Sequence, residues 1–432
     1  MATLAAHLLA GVALVGVGAS LVYYGAAVLL AIRFGRRARS SPIPAAPARP
    51  PAVALLRPLY GASPALYDNL ESLLAADYPA RHFVFGVERE DDPAAEVVRR
   101  LAAKHPAEKI DLVVGSDPAA VNPKVGKLIR MLERTPPADA YVISDADIAV
   151  APDYLRRVVA ELFAHPGTGL VTCLYRGVGG AALGSRLQAL FINTVFAPQV
   201  LISQAIERVR YAMGATMAIK REALAATGRL VPLRDKLADD YLLGRLTADH
   251  GYTVMVSTAL VTSVCEESRI AEFWRHQLRW TITYHTVRPE SRATILTNGP
   301  LWGLVLLACL WSWTALGVAL GVIAARLAMA VVLLGPVLRL GRPLRELWLV
   351  AALDLMIPAL WLRSHLGRRV EWGGRQFTIG TGGVLREVDG RASGAFMASG
   401  DGRGLKRLFR RRAAADQTAQ HGPSGGSRPP RP

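Results

Sequence analysis

Four short islands hold the side chains best suited to chemistry: Asp91-Asp92-Pro93, Asp145-Ala146-Asp147, Asp239-Asp240-Tyr241 and His276-Gln277-Leu278-Arg279-Trp280. Two carboxylates one residue apart, as in Asp145 and Asp147, can hold a hard divalent cation, Mg2+ or Mn2+, against a departing diphosphate, with open positions left for phosphate oxygens and water. An Asp-X-Asp is also a common polar turn, so its value depends on the other islands. A carboxylate such as that of Asp239 or Asp240 can take the proton from an attacking hydroxyl. The same pair suits a helix N-terminus, where acids meet the positive end of the dipole. Asp91-Asp92-Pro93 reads likewise as a helix start, with Asp capping free amides and Pro in the first turn. Lys124 and Lys127 offer point positive charges for a diphosphate, or are exposed helix residues.

Islands this far apart meet only if a fold gathers them. The apolar run Val53–Leu56 predicts a buried strand, Leu66–Ala76 a helix, Phe83–Val87 a strand, Pro93–Lys104 a helix, Asp111–Val114 a strand, Val125–Leu132 a helix and Ala140–Ser144 a strand. This alternation predicts an α/β fold with a mostly parallel sheet. Ligands of such sheets bind beyond the carboxyl ends of the strands, where Asp91, Asp92, Asp145 and Asp147 would share one rim. Ala181–Ala205 carries little charge and reads either as an interfacial helix guiding a lipid or as a core helix interrupted near Pro198. Gly214–Ile219 reads as a buried strand, its small residue allowing close approach of a substrate.

Apolar residues make up 51% of the 432-residue chain, and the mean hydropathy is +0.25. Leu4–Ile32 has no charge before Arg33 and exceeds the stretch of about 20 residues that crosses a bilayer. It lacks the basic start and short apolar core of a cleaved leader, so it predicts a retained transmembrane helix. Arg33, Arg36, Arg37 and Arg39 follow it and predict a cytoplasmic position for the next domain. Beyond Thr297, Leu301–Ala325 is long enough to span, Leu327–Leu338 is shorter, and Glu346–Leu362 is borderline. Arg368, Arg369 and Arg410–Arg412 favour a cytoplasmic tail, hence an even number of C-terminal crossings. The net charge of +17 gathers beside apolar segments and in the tail, which favours a membrane surface. No basic patch with interleaved aromatics points to nucleic acid. Cys173, Cys265 and Cys309 have no metal-ligand spacing and predict reduced thiols facing the cytoplasm.

The chain resembles the ceramide glucosyltransferase-like branch of inverting family 21/family 2 type glycosyltransferases, which includes bacterial hopanoid-biosynthesis enzymes. The resemblance rests on Leu56-Arg-Pro-Leu-Tyr-Gly61, Asn69-Leu-Glu-Ser72 through Asp77-Tyr-Pro79, Asp91-Asp-Pro93, Asn122-Pro-Lys-Val125, Asp240 and Trp280, and more weakly Glu371–Phe377. It covers roughly residues 52 to 380. It implies a GT-A-type domain that inverts a sugar in one displacement, using a UDP-sugar donor and a membrane lipid acceptor, a hopanoid or ceramide. Asp92, with Asp91 in reserve, would lie near the nucleotide; Lys124 and Asp145 would contact the donor; and Asp145 and Asp147 would hold Mg2+ or Mn2+. Asp240 would be the base, with Asp239 as fallback. Arg279 would stabilise diphosphate charge and Trp280 pack beside the acceptor. The family has Gln or Arg where this chain has His276, which leaves the first role of that island open between His276, Gln277 and Arg275. The island also fits an amphipathic interfacial helix with Trp274 and Trp280 at headgroup level. The Asp145-X-Asp147 and His276–Trp280 forms favour N-acetylglucosamine transfer to a hopanoid over ceramide glucosylation, at a bacterial inner membrane. A processive polysaccharide synthase and a non-catalytic scaffold are the contrasting readings. The expected organisation is a transmembrane helix (1–33), a basic Pro-rich linker (34–51), the GT-A domain (52–296), a C-terminal membrane region (297–365), a short segment (366–392) and a disordered basic tail (393–432).

Overall fold

A computed structural model describes residues 2–42, 49–340 and 343–388. The expected tail at 393–432 and part of the Pro-rich linker lie outside the described residues. Helix α1 runs from Ala2 to Ser40. It carries on through Arg33–Arg39, past the boundary expected at residue 33, because the arginines propagate a helix readily and stabilise its carbonyl end.

The α/β domain follows. Its strands are β1 (Val53–Pro58), β2 (Arg81–Val87), β3 (Ile110–Val114), β4 (Ala140–Ile143), β5 (Ile148–Ala149), β6 (Thr168–Thr172), β7 (Tyr175–Gly179), β8 (Met217–Lys220), β9 (Thr253–Val256) and β10 (Val261–Cys265). Seven of them form the central sheet in the order β3-β2-β1-β4-β8-β6-β9. Neighbours in β3-β2-β1-β4 and β6/β9 are parallel, whereas β8 runs antiparallel to β4 and β6. Strands β1 and β4 are buried along their whole length, as expected of parallel strands covered on both faces. A smaller sheet, β5-β10-β7, stands beside the end of β4.

Helices α2 (Leu66–Leu74), α3 (Pro93–Lys104), α4 (Pro123–Arg134) and α5 (Tyr154–Phe163) cover the sheet. The region expected as one apolar helix around 181–205 is α6 (Leu183–Phe191), a π turn at Ile192–Phe196, and α7 (Ala197–Ile206). The π turn absorbs the interruption ahead of Pro198. Asn193 pins it to β7, accepting from the Gly177 amide and donating to the Gly177 carbonyl, both at 2.8 Å. The strand expected over 214–219 begins only at Met217, because Met213 and Thr216 form an isolated bridge that turns Gly214 out of the sheet. Then come α8 (Arg221–Ala226), α9 (Asp239–Asp249) and α10 (Ile270–Val287).

The membrane-type helices are α11 (Gly299–Leu310), α12 (Trp313–Val332) and α13 (Leu347–His365). Among the described residues, four helical stretches are long and apolar enough to cross a bilayer: Leu4–Ser40, Leu183–Ile206, Trp313–Val337 and Leu344–His365. The span expected over Leu301–Ala325 is not continuous. Trp311 adopts a left-handed φ of 42°, and Ser312 then caps α12 by accepting from the Ala315 amide, although no Gly or Pro marks the break. The stretch expected at Leu327–Leu338 is the end of α12 and its π turn, not a separate element. Helix α1 packs along α11 and α12: the Tyr24 hydroxyl accepts from the Gly299 amide at 2.9 Å, and Ser20 donates to the Leu296 carbonyl at 3.1 Å.

A buried ion pair joins two of these helices. Arg326 of α12 meets Asp354 of α13 at 3.0 Å, each side chain only 4% exposed, and Arg326 also donates to Thr194 of the π turn. Replacing one partner leaves an uncompensated buried charge. Arg326→Met therefore destabilises the protein by about 3–5 kcal/mol, and the double change with Asp354→Leu recovers most of that. Thermal unfolding in detergent measures both; equal losses in single and double variants would show that the pair does not act as a unit.

After α13 the chain returns to the α/β domain as a third sheet, β11 (Arg369–Trp372), β12 (Arg375–Ile379) and β13 (Leu385–Glu387). Its apolar face, Val370, Phe377, Ile379 and Leu385, packs against Leu237 and Ile282. Up to residue 388, the segment expected merely to follow the membrane region is thus a folded part of the domain; its remainder lies outside the described residues.

Candidate functional site

Arg57 in β1 is fully buried beneath the Asp145-Ala-Asp147 turn. Its guanidinium donates to Ser144 Oγ at 2.9 and 3.1 Å and to the Ile148 carbonyl at 2.9 Å, gripping the turn on both sides. Burial holds its pKa down at about 10. Asp147 is fixed from the small sheet: its Oδ2 accepts from Ser263 Oγ at 2.7 Å, and its carbonyl accepts from the Val264 amide.

Asn122 explains Asn122-Pro-Lys. Its Oδ1 accepts from the amides of Lys124 and Val125, its Nδ2 donates to the Lys236 carbonyl, and Pro123 occupies the first turn of α4. The cap aims Lys124 inward, where its Nζ lies 2.8 Å from Asp145 Oδ1 and 3.0 Å from Asp239 Oδ2. Burial alone would lower the Lys124 pKa, but the surrounding carboxylates outweigh it and raise the value. Asp240 lies in the first turn of α9, and its two oxygens accept from the amides of Gly214 at 2.8 Å and Tyr241 at 2.7 Å. Burial and the neighbouring Asp239 push the Asp240 carboxyl up to about 6. Burial and Asp145 do the same to Asp147, also to about 6. Burial raises Asp239 too, against the pull of Lys124. The cluster is therefore rich in carboxylate charge that one lysine does not fully balance.

Gly214 separates Asp145 from Asp240. A Cβ there would overlap Asp145 Oδ2 and stand 3.3 Å from Asp240 Oδ2. Gly214→Ala thus moves both carboxylates, and a displacement of this kind lowers turnover by on the order of 100-fold. Steady-state kinetics with a folded variant test this; unchanged turnover would mean that the spacing of the two acids is immaterial.

Helix α10 supplies the opposite wall. His276, Arg279, Trp280 and Tyr284 fall on one helical face and line the cavity, whose volume is about 950 Å3. His276 Nδ1 meets Glu267 Oε1 at 2.7 Å, and burial lowers the imidazole pKa. The Arg279 guanidinium lies 5.7 Å from the Trp372 ring centroid. Trp280 packs edge-on against Phe191, His276 and Tyr284.

One cavity therefore brings together Lys124, Asp145, Asp147, Asp239, Asp240, His276, Arg279 and Trp280. Three of the candidates lie apart from it. Asp91 is exposed and paired with Arg89 at 2.8 Å. Asp92 caps α3, its Oδ1 accepting from Ala94 and from the Gly61 amide, so it orders the loop beside the cavity. Gln277 points to the other face of α10 and donates to Gln188 Oε1 at 2.7 Å. The cavity's remaining walls include Glu88, Tyr211 and Ser263, which the sequence does not single out, and Trp372 and Arg375, which belong to the weakly resembling Glu371–Phe377 segment but have no role implied by it.

The sequence profile described as Glycosyl transferase family 21 matches residues 12–385. Ceramide glucosyltransferase 1 of Caenorhabditis elegans is 25% identical over 230 residues, 53% of this chain and 49% of that protein. Ceramide glucosyltransferase 3 of the same organism is 24% identical over 230 residues, 53% of this chain and 50% of that protein. The chain thus spans about half the length of these curated relatives. Among solved structures, the mannosyltransferase PcManGT from Pyrobaculum calidifontis, in complex with GDP-Man and Mn2+, is 24% identical, with a TM-score of 0.46 over 81% of this chain and 99% of that one. The fold is α/β with long apolar helices before and after the central sheet, and the profile match reaches from the first of those helices to the last strand of the third sheet: the chain belongs to glycosyl transferase family 21.

Proposed function

We propose that the protein transfers a sugar from a UDP-sugar to the hydroxyl of a membrane lipid, with inversion at the sugar carbon. The observation that carries this reading is the two-ended cavity. Asp145, Asp147 and Asp240 line it at the sheet rim, while Tyr23 of α1, Ile202 and Ile206 of α7, and Ile357, Leu360 and Trp361 of α13 line it among the membrane-type helices. A water-soluble, charged donor suits the first end and an apolar acceptor the second. The basic end of α1, Arg33 to Arg39, favours a cytoplasm-facing domain on a bacterial inner membrane.

Asp240 is the base in this reading: a carboxyl raised to about 6 is ionised at neutral pH yet more proton-seeking than an ordinary aspartate. Arg279 and Lys124 stabilise charge on the diphosphate as it leaves, and Trp280 offers the acceptor a flat apolar wall. The donor set fits a divalent cation. Asp145 and Asp147 are hard oxygen ligands, the surplus carboxylate charge favours a cation, and Lys124 already bridges Asp145 and Asp239. Among the described residues no group of three or more His, Cys, Asp or Glu is set to hold an ion unaided, so Asp145 and Asp147 would share it with diphosphate and water. Such an ion, Mg2+ or Mn2+, would supply charge neutralisation as the diphosphate departs.

Within the lipid class, N-acetylglucosamine onto a polyhydroxylated hopanoid is the favoured pair, and glucose onto ceramide, the substrate named by the similar nematode enzymes, is the second reading. Incubation of purified protein and Mg2+ or Mn2+ with each UDP-sugar and each lipid, followed by product mass spectrometry, decides between them. An N-acetylhexosamine on the hopanoid supports the first pair and a hexose on ceramide the second. No glycolipid from any pairing would count against lipid glycosylation by these substrates.

A further inference from the structure

The turn between β11 and β12 holds only Gly373 and Gly374, with φ of 57° and 74°. Two consecutive positive φ values are the mark of the tightest hairpin turn, which glycine adopts without strain. Trp372 and Arg375 are directly paired across it, so their side chains leave the same face of the hairpin. Both line the cavity, with Gly373 between them.

The sheet that carries this hairpin is tied, through β13 and the turn before it, to the segment that leads into α9. The Leu385 amide donates to the Asp235 carbonyl at 2.6 Å and the Leu237 amide to the Gly383 carbonyl at 3.0 Å, two to four residues ahead of Asp239. Trp372 stacks on Arg279. Arg375 Nη2 reaches Glu88 Oε1 at 2.6 Å, the two side chains 40% and 31% exposed. Glu88 directly follows β2, at the rim where a parallel sheet receives its ligand. Lys127 is nearby, its Nζ donating to the Leu59 carbonyl at 2.7 Å, with burial holding its pKa down at about 8.

Arginine is the side chain best matched to two phosphate oxygens, through parallel donors in one plane. Arg375 is half-exposed into the cavity and has one movable carboxylate partner, so it is free to exchange that partner for an incoming anion. We infer that the hairpin Arg369–Ile379 is part of the donor site and that Arg375 binds the diphosphate of the nucleotide-sugar, exchanging Glu88 for phosphate oxygens. The inference rests on the reading of this cavity as a sugar-transfer site and adds a donor contact supplied from beyond the membrane region.

The test is UDP binding to the full chain in detergent with Mg2+, followed by isothermal titration calorimetry. Arg375→Ala weakens UDP by about tenfold or more, the usual effect of losing a hydrogen bond to a charged group. Arg386→Ala, an exposed change in β13 of the same sheet, leaves the affinity unchanged. Wild-type affinity in a folded Arg375→Ala, or an equal loss in Arg386→Ala, overturns the assignment. Should Arg375→Ala fail to fold, Glu88→Gln decides: it removes the competing carboxylate and tightens UDP, whereas unchanged or weaker binding overturns the assignment. Failure of the wild-type protein to bind UDP is a different result, for it removes the UDP-donor reading itself.

Discussion

Asp240→Asn lowers transfer by roughly 100- to 10,000-fold, the range for loss of a positioned general base, while the protein stays folded and binds UDP. Asparagine keeps the shape of the side chain, and its one carbonyl oxygen can still accept from either the Gly214 or the Tyr241 amide, which Asp240 now serves with separate oxygens. The change thus removes the proton-accepting charge at the cost of one local hydrogen bond. The comparison with Asp239→Asn is informative because Asp239 is tied to Lys124, and its loss acts through that lysine. Near-normal transfer by Asp240→Asn with an inactive Asp239→Asn would move the base to Asp239. Activity of the unmodified protein falls with acid for the same reason: protonation of Asp240 on passing below about pH 6 removes the acceptor of the hydroxyl proton. A transfer rate flat down to pH 5 would contradict this.

Removal of divalent metal stops turnover, and Mg2+ or Mn2+ restores it. Asp145 and Asp147 present oxygens to a site rich in carboxylates, and the carboxyl of Asp147 is raised by burial first and by the neighbouring Asp145 second. Lys124 neutralises only part of the carboxylate charge. An Asp145→Asn/Asp147→Asn double variant therefore loses activity that added metal does not return, while either single variant responds to higher metal concentration. Transfer measured in excess chelator and again after metal addition checks both statements. Full activity in chelator would leave Lys124, Arg279 and the other basic side chains as the sole counter-charge to the diphosphate.

The sequence was most readable where local pattern and burial agree. Strands β1, β2 and β4 are short apolar runs because their surroundings are apolar on both faces, and the turns that follow β2 and β4 carry Asp91-Asp92 and Asp145–Asp147. The helix expected from Val125 starts earlier, at Pro123, because Asn122 caps it by accepting from the Lys124 and Val125 amides and Pro123 fits its first turn. Other features depend on partners far away in sequence. Arg57 looks like a polar interruption of a strand until the Asp145–Asp147 turn closes over it. Arg326 and Asp354 each look unfavourable in an apolar helix until they meet. The Trp372–Arg375 hairpin could not be assigned to the cavity because an entire group of membrane-type helices precedes it. For Gln277 a signal was present: His276 and Trp280 are one helical turn apart, and residue 277 lies about 100° round from 276, toward Gln188.

The bond between Tyr24 and Gly299 spans 275 residues, and it bears on how the protein is assembled. Helix α1 is synthesised before the α/β domain, yet its packing partners α11 and α12 follow only after that whole domain has been made. The domain is thus inserted between two parts of one helical bundle, with its ends brought together by closure of that bundle. Because Tyr23 also forms part of the cavity wall, the apolar end of the cavity is finished only when these late helices dock. A nascent chain halted before residue 299 carries the Asp islands but has an open apolar end to its cavity, so under the proposed function transfer to a lipid awaits docking of these later helices and not folding of the α/β domain alone.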